Sequence, residues 1–299
     1  GAYKIGEIEK ICLMTPPNIA VLTGIDEQHG ALFGGLENTK LAKSEILLYS
    51  VPGGSAILNY QNQHVHDLAP HEKLKKITYS LDRRGSDLQG KWISQENEWQ
   101  IFKVWFNNEE QTFKTKLIGE ANLLNILAAL AVALALGKRL AELTDAVAAL
   151  QPPPETMERL ETGNLKIIND SYNANPTGVL AAVKTLSGMA GEKIIVLDDI
   201  LELGKKTSAI HQKVAQNLLE AGLSKIILVG KNYPHMIHNE IARLGGQPEN
   251  LLLEKTNLKL VSEYFAKLKA ENIAHSQPKV ILFEGRRSKK YLNLLLNKK

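Results

Sequence analysis

One cysteine, Cys12, stands among 299 residues, which excludes a disulfide within the chain and any cysteine-based metal cluster and fits a reducing, cytoplasmic setting. Long apolar runs are missing as well. The longest, residues 126–136, is eleven residues and alanine-rich, short of the roughly 18 that a membrane span needs, so no membrane insertion is expected. No signal-peptide pattern precedes it. Cationic blocks are absent: the net charge is +4, but apart from Lys289-Lys290 and Lys298-Lys299 the basic residues are interspersed with acids. Nucleic acid is therefore not an expected partner. No Gly-x-x-x-x-Gly-Lys-Ser/Thr string occurs, so the usual loop that cradles nucleotide phosphates is not in these residues. Internal repeats and low-complexity tracts are also lacking. The chain opens on Gly1 in mid-pattern, from which a piece of a longer protein is expected.

What remains is the composition of a globular chain, 44% hydrophobic and 23% charged, with length for two domains. Ile19-Ala20-Val21-Leu22-Thr23 reads as a strand, residues 37–48 as a helix, and 55–58 as a second strand, which together make a parallel α/β unit. Residues 76–117 alternate around polar turns and read as a small antiparallel sheet attached to that core. Helices are expected over 122–136 and 140–150. Pro152-Pro153-Pro154 cannot continue a helix, so the domain boundary is placed there, with domains at 1–151 and 152–299. Beyond it, strand patterns at 166–169, 193–197, 225–229, 251–253 and 279–283 alternate with helical ones. That predicts a Rossmann-like, doubly wound parallel sheet.

Behind the first of these strands comes Asn169-Asp170-Ser171-Tyr172-Asn173-Ala174-Asn175-Pro176, followed by helical spacing. Singly, these are ordinary turn and cap residues. Together they give one crossing a carboxylate, amides and hydroxyls where open α/β sheets bind ligands. The string resembles the Asp-Ser-Tyr-Asn-Ala-Asn-Pro signature of the Mur ligases, in the branch that adds D-alanyl-D-alanine to a UDP-muramoyl tripeptide.

Other segments are similar to that family. Pro17-Asn18-Ile19, then His29 and Ala42-Lys43-Ser44-Glu45, resemble its central-domain pattern. There the histidine helps to hold Mg²⁺, and the lysine, if carbamylated, adds an anionic oxygen to the metal. The resemblance assigns those roles, with catalysis, to His29 and Lys43, although a lone His or Lys at such places is most often a surface residue. Gly119-Glu120-Ala121-Asn122-Leu123-Leu124-Asn125 resembles Gly-x-His-Asn-x-x-Asn, with Ala121 in place of the His. Asn122 and Asn125, three apart, share a helix face and are assigned to ATP, helix capping being the alternative for Asn122. Glu158-Arg159-Leu160-Glu161 stands for Gly-Arg-x-Glu, which turns Arg159 toward the nucleotide phosphates, with a surface ion pair as the alternative. Asp170 is assigned to the ribose, Tyr172 and Asn173 to ATP, and Asn175 to the amino substrate.

Asp198-Asp199-Ile200-Leu201-Glu202-Leu203-Gly204, with His211 downstream, resembles Gly-Asp-Met-x-Glu-Leu-Gly. Glu284-Gly285-Arg286-Arg287-Ser288 stands where the family has Lys-Gly-Ser-Arg-Ser, a loop that receives the dipeptide carboxylate. Glu202, Arg287 and Ser288 are thereby assigned to substrate. The anion at Glu284 weakens a carboxylate site unless Arg286 compensates.

The resemblance implies a truncated P-loop-type central domain and a whole C-terminal domain of an ATP- and Mg²⁺-dependent ligase of peptidoglycan synthesis. Such enzymes work through an acyl phosphate, are cytoplasmic and are expected to be monomeric. It also implies that these residues alone are inactive. The alternatives are a folylpolyglutamate synthase-like ligase and a non-catalytic nucleotide-binding module.

Overall fold

The computed structural model describes residues 2, 4–26, 35–68, 73–81, 85–201, 203–271 and 278–296. The chain forms two compact units, Gly1–Gln151 and Pro152–Lys299. His29 and Glu202 lie outside the described residues.

The first unit is a single six-stranded sheet whose spatial order follows the chain: β1 (Ile19–Leu22), β2 (Ser55–Asn59), β3 (Lys75–Leu81), β4 (Leu88–Glu96), β5 (Trp99–Phe106) and β6 (Glu109–Thr115). Its helices are α1 (Glu7–Met14), α2 (Leu36–Leu48), the short α3 (Gln63–His66), α4 (Glu120–Ala135) and α5 (Thr144–Ala148). Strands β1 to β4 run parallel, and β5 and β6 continue the same sheet antiparallel. Within residues 76–117 the antiparallel part is β4 to β6, attached to the core as a continuation of its sheet, whereas β3 pairs in parallel with both β2 and β4. Alternation along a strand reports which face is buried, not the direction of its neighbour.

Strand β4 carries no alternation signal. Trp92 and Ile93 are both exposed, and the register shifts between Trp92 and Ser94, a bulge that breaks the two-residue period. Asn107 and Asn108, both at positive φ, close the β5–β6 hairpin with the two-residue turn that such asparagines favour. The expected helix over 140–150 is instead a 3₁₀ turn, Leu140–Leu143, leading into α5.

Helix α4 lies on this sheet. Leu123, Ile126, Leu127 and Leu130 pack against Ile57, Tyr79, Leu88, Phe102 and Phe113. Gly90 lets it pack closely: a Cβ there would sit 2.8 Å from Leu127 Cδ1 and 2.9 Å from Leu81 Cδ2, so those leucines would have to shift.

The second unit holds six strands in the order β11-β10-β9-β12-β8-β7. These are β7 (Glu158–Thr162), β8 (Leu165–Asp170), β9 (Glu192–Leu197), β10 (Lys225–Leu228), β11 (Leu251–Leu253) and β12 (Lys279–Glu284). Between them run α6 (Pro176–Ser187), α7 (Thr207–Glu220), α8 (Pro234–Arg243) and α9 (Glu254–Glu271), and α10 (Lys289–Leu296) follows β12. All are parallel except the edge strand β7, which pairs antiparallel with β8. The chain leaves β8, builds β9 to β11 outward, and returns with β12 between β9 and β8. That reversal makes the C-terminal ends of β8, β12 and β9 the switch point of the sheet. Among the described residues, no helix is long and apolar enough to cross a membrane.

Candidate substrate-binding site

Strands β8 and β12 end in register, Asp170 beside Glu284, and Glu284 is also paired with Leu197 at the end of β9. The sheet therefore brings Asp170, Glu284 and the Asp198-Asp199 pair to one edge. Gly285 lets the three loops meet. Its φ is +81°, and a Cβ there would lie 2.6 Å from Asp198 Cβ and 3.2 Å from Ala174 Cβ.

The Asn169–Pro176 string divides by the alternation of its side chains. Asn169 and Ser171 point inward: Ser171 Oγ donates to Asn169 Oδ1 (2.6 Å), and Asn169 Nδ2 donates to Glu158 Oε2 (2.8 Å). Tyr172 and Asn173 are exposed at the mouth. Asn175 caps α6, its Oδ1 accepting from Gly178 N at 2.9 Å, and Pro176 follows at the first helical position. Asp170 is half-buried and accepts from Met157 N at 3.1 Å. Burial pushes its carboxyl above the usual range, with the Met157 N–H opposing.

Residues after the three prolines are fastened to the same loop. Tyr172 N donates to Glu155 O (3.1 Å), and Lys289 pairs with the Glu155 carboxylate. Glu155 and Met157 both take positive φ, a conformation that non-glycine residues keep only when their surroundings enforce it.

Asp199 is the anchor on the far side. Its carboxylate accepts from Lys231 N (2.8 Å), Asn232 N (3.0 Å) and Tyr233 N (2.9 Å), and from Arg287 Nη1 (2.9 Å). Burial alone would raise its pKa, but these N–H groups and the guanidinium hold it below the ordinary value. Asp198 accepts from Arg287 twice, through the backbone N–H (2.8 Å) and Nη1 (3.0 Å). Ser288 is buried, and its hydroxyl donates to Gly285 O. Arg287 and Ser288, read from sequence as substrate contacts, thus hold the loop in shape.

Two further titratable side chains of this unit, Glu284 and His211, are buried. Glu284 is buried beside the Asp170 carboxyl, and burial, together with that neighbouring carboxyl, drives its pKa well above normal. His211 lies 5.3 Å from the Tyr233 ring, with Nδ1 2.6 Å from Thr207 O and no partner on Nε2. Burial lowers its pKa, against Thr207 O and Asp199, so the neutral ring carries its proton on Nδ1.

The sequence of the first unit matches the Mur ligase middle domain over residues 1–133, and that of the second matches the Mur ligase, glutamate ligase domain over 157–286. The chain belongs to the Mur ligase family. It is similar to the UDP-N-acetylmuramoyl-tripeptide--D-alanyl-D-alanine ligases of Haemophilus influenzae (30% identical, 77% of this chain, 50% of that protein) and Buchnera aphidicola from Baizongia pistaciae (28%, 77% and 50%). The chain spans about half the length of these relatives. In fold it matches the MurF ligase of Thermotoga maritima in complex with ADP, with a TM-score of 0.83 at 21% identity over 99% of this chain and 66% of that one.

The remaining sequence-assigned residues lie on three elements, two in the first unit and one in the second. Lys43 is half-buried on α2 and makes no hydrogen bond or ion pair among the described residues. Asn122 Nδ2 donates back to Ile118 O at 2.8 Å, which leaves its Oδ1 open, and Asn125 is exposed one turn on. Arg159 is half-buried on β7, a strand the sequence pattern did not reveal. Among the described residues, no three metal-ligating side chains cluster, so Mg²⁺ finds no ready set of ligands in them.

Sequence reasoning also missed Glu45. Its carboxylate accepts from Gly6 N (2.6 Å) and Glu9 N (2.9 Å), and so caps α1 from α2. The Ala-Lys-Ser-Glu spacing held that signal, since Glu45 is two residues from Lys43 and faces inward.

Proposed function

We propose that the chain is the ATP- and acceptor-binding part of a peptidoglycan ligase that joins D-alanyl-D-alanine to a UDP-muramoyl tripeptide. The observation that carries this reading is the convergence at the ends of β8, β12 and β9, which brings together the loops that carry Asp170, Tyr172, Asn173 and Asn175 on one side and Arg286 on the other. The names of the relatives, which match across both domains, support the same acceptor over a folate-type one.

Each unit carries groups suited to a nucleotide: in the second, the Asp170 carboxyl suits ribose hydroxyls and the Arg159 guanidinium suits phosphate, and in the first, Asn122 keeps its Oδ1 for a donor. Bound ATP supplies the phosphoryl group. The tripeptide carboxylate oxygen bonds to the γ-phosphorus as ADP leaves; the dipeptide amine then bonds to the acyl carbon as phosphate leaves and the amine gives up a proton. Asn173 and Asn175 border the incoming amine. Mg²⁺ enters this proposal only through His29 and a carbamylated Lys43, and no step is assigned to it. The whole enzyme acts in the cytoplasm as a monomer, and residues 1–299 alone do not ligate.

Incubating the intact protein with UDP-muramoyl tripeptide, ATP and D-alanyl-D-alanine tests this by product mass and phosphate release. The expected result is one amide product and one phosphate per turnover. Phosphate release with a different amino compound and none with the dipeptide refutes the acceptor, and turnover by residues 1–299 alone refutes the division of labour.

A further inference from the structure

We propose that Arg286, and not Arg287, receives the carboxylate of the incoming amino substrate, an inference that rests on the ligase reading above. The loop after β12 carries three charged side chains in four residues, and the structure gives each a different environment. Glu284 is 1% exposed, with its carboxyl shut away from solvent beside the Asp170 carboxyl, so it offers an incoming carboxylate no cation. Arg287 has its guanidinium between two carboxylates, Asp198 at 3.0 Å and Asp199 at 2.9 Å. A carboxylate ligand would have to displace an anion already held by a buried network.

Arg286 is exposed, and among the described residues no carboxylate reaches it. One hydrogen bond fixes it: Nε donates to Tyr172 O at 3.1 Å, spanning from the β12 loop to the loop that carries Asn173 and Asn175. That tether uses the Nε side of the guanidinium and leaves the two Nη atoms as a fork of parallel donors, the geometry that takes a carboxylate bidentately. The cation at this edge has thereby moved two residues along the chain from the position that Glu284 occupies. Arg287 is a positioning residue: it ties the β12 loop to Asp198 and Asp199, and so holds Arg286 against Tyr172.

Steady-state kinetics of the intact ligase test this, with D-alanyl-D-alanine and its C-terminal amide as acceptors, for the wild type, Arg286→Gln and Arg286→Lys. Arg286→Gln is expected to raise KM for the dipeptide about 10- to 100-fold, with kcat and the KM for ATP within about 2-fold, and to leave the amide unaffected. Arg286→Lys restores part of the loss. Retention by Arg286→Gln of the wild-type preference for acid over amide overturns the proposal while leaving the ligase reading intact. A wild type that turns over neither acceptor sinks the ligase reading, and this proposal with it.

Discussion

In the C-terminal unit Asp199 alone gathers three backbone N–H groups and a guanidinium, whereas in the N-terminal unit the side chains of Lys43, Asn122 and Asn125 together make one hydrogen bond among the described residues, from Asn122 back to Ile118. The first arrangement is bound to itself before any ligand arrives. The second leaves its polar groups open. A preassembled wall gives up little entropy when substrate binds and can discriminate by shape and charge. Residues that stand singly on helices contribute donors and acceptors whose geometry is completed by the ligand. The C-terminal unit is therefore the one whose edge is shaped before a ligand arrives.

The contrast can be broken most sharply at Asp199. Replacing Asp199 with Ala orphans Lys231, Asn232 and Tyr233 N–H and leaves Arg287 half-neutralised, at an expected loss of about 3–5 kcal/mol. All three tryptophans, Trp92, Trp99 and Trp105, lie in the first unit, so the far-UV circular dichroism transition should shift in urea while the tryptophan fluorescence transition stays in place. Equal shifts in both would erase the distinction between the units. Glu45→Ala is the reciprocal experiment. It removes the two bonds that start α1, should lower stability by about 1–2 kcal/mol, and should move the fluorescence transition.

Glu284→Gln acts with the opposite sign. An unfolded glutamate loses its proton near 4.5, while the buried folded one keeps it to higher pH, so its contribution to stability is full below that value and is lost as pH rises toward the folded pKa. The amide removes this slope. Stability of the variant should exceed that of the wild type by on the order of 1 kcal/mol at pH 8, and the gap should close toward pH 4. A constant gap across that range would mean that Glu284 does not hold a proton in the fold.

Much of this architecture is legible in the residues, because parallel strands buried on both faces read as short apolar runs and the polar string 169–176 falls directly after one of them. Helix α2 and the strands of the second sheet follow that logic. Strand β7 does not: Glu158-Arg159-Leu160-Glu161 is an edge strand with charged side chains, which is how edges are kept from pairing and also what hides them from pattern reading. The candidate site is legible in composition but not in assignment. Arg286 and Arg287 are identical in sequence, and only the carboxylates brought alongside by β9 separate a tethered, open guanidinium from a neutralised one. Glu45 escaped notice because the residues it caps are about 40 positions away.

Amide hydrogen exchange of the 299-residue chain without ligand tests the preassembled wall most directly. The N–H groups of Lys231, Asn232, Tyr233 and Arg287 lie outside the α-helices and strands, yet each donates to a buried carboxylate. They should exchange as slowly as the amides of β9 and β12. Exchange at the rate of exposed loop amides would mean that the wall forms only when substrate arrives, which contradicts the account.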